Sequence, residues 1–265
     1  MAEIVRFGKA EAPPREKPGG FVMTETAKEI RRSLNLIRSG SEGGLTMIAG
    51  APRIGKTETL LHLRGELREA AVYLRIAKGE GRPWGLAYGI MRAMGMELAS
   101  DRYFLSGGLT QARERLARTL GRDCIVLVDE AQNLHEYDDK TRLMGAGFEW
   151  LRALREEGGF ALAFCGDMSL APAITGQPQL WSRMRRPLTL KGVAKGDVAL
   201  FADRWGVTDR AAVAALEAVA RGRGGLRNVV NVLSAAADFA GGEAPDADSV
   251  RAAILAEGLA PKGGR

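Results

Sequence analysis

Residues 50–57 read Gly-Ala-Pro-Arg-Ile-Gly-Lys-Thr, and this G-x-x-x-x-G-K-T pattern restricts the fold of the chain more than any other feature. The apolar run Leu45 to Ala49 precedes it, and the helix-favouring stretch Glu58 to Ala70 follows. A strand, a glycine-bearing turn and a helix in this order direct backbone N–H groups and the positive end of a helix dipole at an anion. The segment therefore predicts a phosphate-binding loop inside an α/β fold.

The loop also predicts which side chains contact a bound nucleotide. The motif directs Lys56 to the β- and γ-phosphates, and it makes the Thr57 hydroxyl a ligand of Mg²⁺. We expect the nucleotide-binding residues to be Gly50, Ala51, Pro52, Arg53, Ile54, Gly55, Lys56, Thr57 and Glu58.

The rest of the sequence predicts the architecture around the loop. Short apolar runs, separated by helical patterns, lie at Leu45 to Ala49, Ala71 to Ala77, Cys124 to Val128, Phe160 to Cys165, and Pro187 to Leu190. This alternation is typical of a parallel α/β sheet, here with five strands. We expect the α/β domain to span residues 23–192, opening with a helix from Thr24 for which Thr26 and Glu29 form a capping-box pattern.

After Lys191 the pattern contains helices alone. Amphipathic segments are predicted at Asp197 to Trp205, Asp209 to Ala220, Leu226 to Ala240, and Asp246 to Glu257. They indicate a small all-helical lid subdomain over residues 193–258. Residues 1–22, rich in Pro, Gly and charge, are predicted to be a flexible arm, and residues 259–265 a flexible tail.

A pair of acids follows the third apolar run. The segment Ile125 to Glu130 reads Ile-Val-Leu-Val-Asp-Glu, so a hydrophobic strand delivers Asp129 and Glu130 to the edge where the loop lies. Asp129 is expected to hold Mg²⁺ together with Thr57, and Glu130 to polarise the attacking water. The alternative is that the two acids cap the next helix.

Four more residues are candidates for sensing or completing the site. Asp167 follows the fourth run, where a polar side chain could sense the γ-phosphate; its alternative role is forming a turn. Arg183, and next to it Arg186, could stabilise transition-state charge in a neighbouring subunit, or could instead form a basic surface or contact DNA. Arg227 opens a lid helix and could report nucleotide state, or could simply face solvent.

ATP is the nucleotide that the sequence favours. The segment Ala194-Lys195-Gly196-Asp197 is a weak match to the guanine-reading N/T-K-x-D pattern, because its first residue is Ala. Asp129 also lacks the glycine of the D-x-x-G pattern that accompanies guanine binding.

Charge and composition bear on partners and compartment. The chain carries +6, and residues 181–227 hold ten Lys or Arg against four Asp or Glu, so a polyanion is a plausible partner; a solvated basic face is the alternative. No apolar run approaches the roughly 20 residues that span a bilayer, and the amino terminus has no signal-peptide core. The two cysteines, Cys124 and Cys165, are expected at opposite ends of parallel strands and so not to pair. These features predict a cytoplasmic protein.

With these motifs in hand, the chain resembles AAA+ ATPases of the transposition-regulator type, the family of the B protein of Mu-like phages. The resemblance covers about residues 22–258 and rests on the phosphate loop, the Asp-Glu-Ala-Gln-Asn-Leu segment at 129–134, and the Gly-Gly-Leu-Arg segment at 224–227. It implies assembly with ATP into a ring or helical filament on double-stranded DNA, with an arginine supplied in trans. It further implies delivery of that target DNA to a DDE transposase.

The resemblance also implies a DNA-facing surface made by segments after the second strand. Lys78, Arg82 and Arg102 are the candidates, and their contacts would be mainly to the DNA backbone. A second hypothesis is an ATPase that remodels or scaffolds proteins, because secretion-associated ATPases carry a similar Asp-Glu-Ala-Gln-Asn-Leu segment.

Overall fold

The structure is a computed structural model, and it describes residues 20–40, 44–96, 107–138, 143–194, 196–241 and 243–260. The chain divides into two compact units. One is Met23–Ala194, and the other contains the helices that follow residue 195. Each unit has its own hydrophobic core.

The α/β unit is built on a parallel sheet of five strands. The strands are β1 (Leu45–Gly50), β2 (Ala71–Arg75), β3 (Ile125–Asp129), β6 (Ala161–Gly166) and β7 (Leu188–Leu190), and their order across the sheet is β2-β3-β6-β1-β7. Every residue of β1, β3 and β6 is buried, which agrees with their continuous apolar sequence and their central positions. The predicted five-stranded parallel sheet is therefore confirmed.

Helices cover both faces of this sheet. They are α1 (Glu25–Arg38), α2 (Lys56–Leu67), α3 (Pro83–Ala93), α4 (Gly108–Leu120), α5 (Ala146–Gly158), α6 (Leu170–Thr175) and α7 (Pro178–Trp181). Side chains of β3 alternate between the faces: Ile125 and Leu127 pack in the cluster of α1 and α2, whereas Val126 and Val128 pack in the cluster of α3 to α6. The period of two along the strand is what gives both helix layers a shared core.

The start of α1 differs from the predicted capping box. Thr24 is the N-cap, and its hydroxyl accepts a hydrogen bond from the Ala27 backbone N–H at 3.1 Å. Thr26 lies inside the helix and is buried, so the prediction that Thr26 and Glu29 cap the helix is wrong. Thr24 has the extended backbone that an N-cap requires. The Glu29 carboxylate instead pairs with Arg186, which precedes β7.

Two short features that the sequence did not predict lie after β3. Residues Ala131–Leu134 form a 3₁₀ turn, and β4 (Tyr137–Asp138) pairs in antiparallel fashion with β5 (Leu143–Met144). A second 3₁₀ turn, Arg68–Ala70, joins α2 to β2. These segments are too short to show a hydrophobic period.

The second unit is helical, as predicted for the carboxy-terminal region. Its helices are α8 (Asp197–Arg204), α9 (Arg210–Arg221), α10 (Gly225–Phe239) and α11 (Ala247–Ala256). Side-chain caps set two of the starts: Asp209 accepts from the Ala212 N–H, and Asp246 forms a capping box with Ser249. The buried faces of these helices carry mostly Ala, Leu and Val.

Both cysteines are buried free thiols, as predicted from their positions at opposite ends of β3 and β6. Burial raises the pKa of Cys124 to about 11 and raises the pKa of Cys165 well above its ordinary value. Burial therefore disfavours the thiolate form of both side chains. Within the described ranges, the helices are too short or too polar to cross a membrane.

Candidate functional site

The phosphate loop lies between the carboxyl end of β1 and the first turn of α2. β1 ends at Gly50, and α2 begins at Lys56 with Gly55 as its N-cap at φ 94°. A left-handed backbone at that position favours glycine. Gly50 has a different reason, since a Cβ there would lie 3.0 Å from Leu190 Cβ on the neighbouring strand β7. The two glycines of the motif thus serve the turn and the strand packing separately.

The remaining loop residues differ in exposure. Ile54 is buried and anchors the loop to the core, while Pro52 and Arg53 are exposed. Arg53 has a left-handed backbone at φ 61°, which is uncommon for a residue with a side chain and costs free energy that the surrounding structure must supply. Glu58 lies exposed in the first turn of α2. The predicted nucleotide contacts of residues 50–58 therefore lie in one turn and the start of one helix.

Lys56 is held close to its own loop. Its Nζ donates hydrogen bonds to the carbonyl oxygens of Gly50 at 2.9 Å and Ala51 at 2.7 Å. These bonds direct the ammonium group along the loop and fix a positive charge where the motif predicts phosphate.

Asp129 connects the loop with the sheet. The Thr57 hydroxyl donates to Asp129 Oδ2 at 2.7 Å, although the two residues are 72 positions apart in the chain. Asp129 is the last residue of β3 and is 2% exposed. The structure thus brings together the two residues predicted to hold Mg²⁺.

Two further donors contact the Asp129 carboxylate. Tyr73 on β2 donates from its hydroxyl to Oδ2 at 2.8 Å, and the backbone N–H of Glu130 donates to Oδ1 at 3.0 Å. Burial first, and then the charge of Asp129, raise the pKa of Tyr73, so the phenol stays protonated and remains a donor. Sequence reasoning missed Tyr73, since its place on a strand gave no sign that its hydroxyl meets an acid.

The pair of Thr57 and Asp129 fits a magnesium ion. Mg²⁺ is usually bound through one or two protein oxygens, with waters and substrate phosphates as the other ligands. In the described residues no group of three His, Cys, Asp or Glu forms a metal cluster. A hydroxyl and one carboxylate beside a phosphate loop are the donor set expected for a nucleotide-bound Mg²⁺.

Glu130 lies beside this pair in an unusual conformation. Its φ is 55°, the left-handed region, and it is the N-cap of the 3₁₀ turn 131–134. The carboxylate accepts a hydrogen bond from Gln132 Nε2 at 2.6 Å, and Arg75 NH2 lies 3.8 Å away. A strained backbone at the end of a buried strand is a frequent feature of catalytic sites.

The Asp167 side chain forms a turn. Its Oδ1 accepts from the Ser169 backbone N–H at 2.8 Å and from the Ser169 hydroxyl, and the residue is exposed. This is the local Asx geometry by which Asp starts a turn before a helix. The backbone N–H of Asp167 has a different partner, Gln132 Oε1 at 3.1 Å.

The candidate arginines before β7 are both held by acids of the α/β unit. Arg183 contacts Glu156 on α5, with its Nε 2.8 Å from Oε1, and donates to the Gln179 carbonyl at 2.7 Å. Arg186 is paired with Glu29 on α1 and also donates to the Glu29 carbonyl at 3.1 Å. Both guanidinium groups are thus paired with acids of their own chain.

Three of the remaining candidates are exposed side chains, and the fourth is not described. Arg227 is the third residue of α10 in the helical unit and is exposed, and its contact with nucleotide stays a prediction. Lys78 and Arg82 are exposed in the segment between β2 and α3. Arg102 lies outside the described residues.

Comparison with known proteins gives two family matches. A family model described as an AAA domain matches residues 37–174, and one described as the C-terminal part of the Mu B transposition protein matches residues 182–255. No curated protein matches the sequence significantly.

Solved structures with the same fold include three from two organisms. The Aeropyrum pernix ORC2 protein in its ADP form aligns with a TM-score of 0.61 at 18% identity, over 92% of this chain and 70% of that one. The Aeropyrum pernix ORC1 protein in complex with DNA aligns at 0.60 and 19%, over 89% and 66%. The Thermotoga maritima RuvB Holliday junction branch migration motor aligns at 0.54 and 15%, over 87% and 68%. At these identities the likeness establishes the fold alone.

Proposed function

The chain belongs to the AAA family of ATPases, whose model matches more than half of it, and from this premise we propose that it hydrolyses Mg-ATP to control its assembly on target DNA in transposition. The Thr57 to Asp129 hydrogen bond carries the catalytic part, since it joins the phosphate loop to the acid strand next to Glu130. The match of residues 182–255 to the Mu B transposition protein carries the part that concerns DNA.

Each residue of the site has a definite task in this proposal. Backbone N–H groups of residues 50–57 bind the phosphates, with Lys56 supplying positive charge against them. Thr57 and Asp129 hold Mg²⁺, which when bound neutralises charge that develops on the phosphates. Glu130 accepts a proton from the attacking water and orients it. Tyr73 fixes the Asp129 carboxylate in place through its hydroxyl.

The DNA-binding part rests on where positive charge and family similarity coincide. The basic stretch 181–227 lies within or next to the segment that matches the Mu B protein. The ORC1 protein that shares the fold is described in complex with DNA, which supports a role on DNA for this chain. The match to the Mu B transposition protein favours a role in transposition over the protein-scaffolding hypothesis.

Fluorescence anisotropy of a labelled random-sequence duplex tests DNA binding directly. We expect binding with ATP that weakens by about tenfold or more between about 50 and 200 mM salt, because phosphate contacts release counterions. Lys56→Ala should lose the ATP-dependent part. If the wild-type protein does not bind duplex DNA in low salt with ATP, the proposal is overturned.

The position of the DNA surface can be tested with a matched pair of variants. Lys78 follows the carboxyl end of β2, whereas the exposed Arg122 precedes the amino end of β3, so the two lie at opposite edges of the sheet. We expect Lys78→Ala with Arg82→Ala to reduce the salt slope of DNA binding, and Arg122→Ala to leave it unchanged. Equal salt slopes for the wild type and all variants would mean that the DNA contacts lie outside Lys78 and Arg82.

Assembly and delivery to a DDE transposase complete the proposal. Electron microscopy with ATP and DNA should show rings or helical filaments that dissolve as ATP is hydrolysed. Strand transfer by a partner DDE transposase should be stimulated by the wild type with ATP, and not by Lys56→Ala. Full strand transfer without this protein would refute delivery.

A further inference from the structure

The side-chain amide of Gln132 makes two hydrogen bonds that join separate parts of the site. Its Nε2 donates to Glu130 Oε2 at 2.6 Å, and its Oε1 accepts from the Asp167 backbone N–H at 3.1 Å. Glu130 follows β3 and Asp167 follows β6, which are neighbouring parallel strands. One half-buried amide therefore bridges the two strand ends where the predicted base and the predicted sensor lie.

Gly166 gives an independent sign that the position of this amide matters. A Cβ on Gly166 would lie 2.4 Å from Gln132 Oε1, far inside contact distance. The backbone of Gly166 is not in the left-handed region, so its conformation does not demand glycine. The space that any other residue would fill at the end of β6 is the space that the Gln132 amide occupies.

Two other side chains near Glu130 and the turn after β6 have different contacts. The Asp167 carboxylate is used by Ser169 in the turn before α6. Arg75 lies 3.8 Å from Glu130, but its side chain is 65% exposed. Gln132 thus makes a hydrogen bond to the Glu130 carboxylate that is shorter than the contact of Arg75 with the same carboxylate.

We propose that Gln132 is a positioning residue that orients Glu130 and couples it to the turn after β6. Through the Asp167 backbone N–H, movement of this turn shifts the amide, and the amide shifts the carboxylate that handles the attacking water. The side chain of Asp167 plays no part in this link. The inference rests on the proposed role of Glu130 in ATP hydrolysis.

Gln132→Glu removes one of the two hydrogen bonds of the bridge, the one donated to Glu130. It keeps the length of the side chain and the oxygen that accepts from Asp167, but it replaces the donor to Glu130 by a second carboxylate. We expect kcat for ATP in the full-length protein to fall by about tenfold to a hundredfold, because a misplaced catalytic group loses that much rate. KM and the Kd of a non-hydrolysable ATP analogue should change by less than about threefold, since the loop is untouched. Asn231→Asp, the same chemical change on the exposed side of α10, is the control and should keep the wild-type kcat.

Gly166→Ala disturbs the bridge from its other side and leaves Gln132 in place. We expect the same loss of kcat with KM retained, while Gly65→Ala, whose Cβ would meet nothing within 4 Å, should behave as wild type. The decisive measurement is the pair of substitutions together. If Gly166 acts through the amide, Gly166→Ala should cost little further activity once Gln132→Ala has vacated the space.

The outcomes separate this inference from the proposed function. Wild-type turnover by Gln132→Glu, together with loss of turnover in Glu130→Gln, would overturn the role of Gln132 and leave the catalytic role of Glu130 standing. Full turnover by Glu130→Gln would instead refute the proposed role of Glu130. If Gln132→Glu does not fold, Gln132→Met, which is similar in length and lacks both hydrogen bonds, takes its place. A parallel loss of kcat, nucleotide affinity and melting temperature in the folded variants would show a purely structural role and overturn the inference.

Discussion

The phosphate loop and the arginine segment before β7 lie at opposite ends of the paired strands β1 and β7, and they are organised differently. In residues 50–57 and at the end of β3, the functional side chains contact one another, as Thr57 and Asp129 do. In residues 183–186, two of the three arginines contact an acid of a helix, Arg183 with Glu156 and Arg186 with Glu29. The first region is a site already assembled, whereas the second is tied into the fold.

The arginine segment, residues 183–186, therefore has a structural role that its sequence does not indicate. The Arg186 carbonyl accepts hydrogen bonds from the Ser33 hydroxyl at 2.9 Å and the Thr46 hydroxyl at 3.2 Å, and its φ of 48° is left-handed. Backbone and guanidinium of this residue both bind partners on or beside α1. We infer that Arg186 connects the strand β7 segment to α1, and that a trans role falls more readily to Arg183, whose side chain is 43% exposed.

The sharpest test of the assembled region is Glu130→Gln. We expect kcat for ATP to fall by about a hundredfold to ten-thousandfold, the usual contribution of a general base. Nucleotide binding should persist, because Gln keeps the shape of the side chain and the loop is untouched. Steady-state hydrolysis and analogue binding measure the two quantities; unchanged hydrolysis would remove Glu130 from the mechanism.

Lys56→Ala should have the next largest effect. Loss of a charge-assisted contact to phosphate costs about 1.5 to 3 kcal/mol, so the Kd for ATP should rise by about tenfold to a hundredfold. Titration with a fluorescent ATP analogue measures this Kd. Exposed Arg68→Ala, beyond the end of α2, is the control and should bind as wild type does.

Arg186→Ala tests whether the second region is structural. We expect the free energy of unfolding to fall by about 1 to 2 kcal/mol, since the variant loses hydrogen bonds to an acid and a carbonyl in a half-buried place. Arg185→Ala, the exposed neighbour, should change stability little. Denaturant unfolding of the two variants gives the comparison, and equal stability would remove the structural role.

The Glu29 carboxyl adds a pH test of the same contact. Hydrogen bonding to Arg186, followed by that to Arg32, lowers the pKa of Glu29 in the folded protein. A carboxyl with a lowered folded pKa contributes stability that is present above the ordinary pKa and is lost as pH falls through the folded pKa. The stability difference between wild type and Arg186→Ala should thus be full at pH 7 and shrink below pH 4.5, the ordinary value for glutamate. If the stability difference stays constant as the pH falls below 4.5, the pair of Glu29 and Arg186 contributes nothing through charge.

Arg183→Ala should have the smallest effect on the isolated chain. Its exposed pair with Glu156 is expected to contribute less than about 1 kcal/mol to folding. ATPase activity should fall in the DNA-bound assembly and stay unchanged in the monomer. Mixing it with Lys56→Ala should restore hydrolysis if the arginine acts in trans, and mixtures without activity would contradict that role.

Much of the fold was predictable because its signals are local. The continuous apolar runs identified the five strands, and the helical periods located α8 to α11 closely. The start of α1 was mispredicted because two threonines, Thr24 and Thr26, both precede a helical period, and local spacing does not choose between them. The pairing of β4 with β5 was missed because two-residue strands carry no period.

The site divides in the same way. The sequence by itself determined the phosphate loop, the acid pair at the end of β3 and their shared edge of the sheet, because parallel strands carry their last residues to one edge. Gln132 belongs to the Asp-Glu-Ala-Gln segment that the sequence singled out, but its spacing did not indicate that its side chain bridges two strand ends. Only the tertiary structure decided that Gln132 reaches the end of β6, that Tyr73 meets Asp129, and that Arg186 binds Glu29, which is 157 residues away. Those contacts depend on how strands pair and how helices pack on the sheet, and no local period in the chain encodes the direction in which such a side chain points.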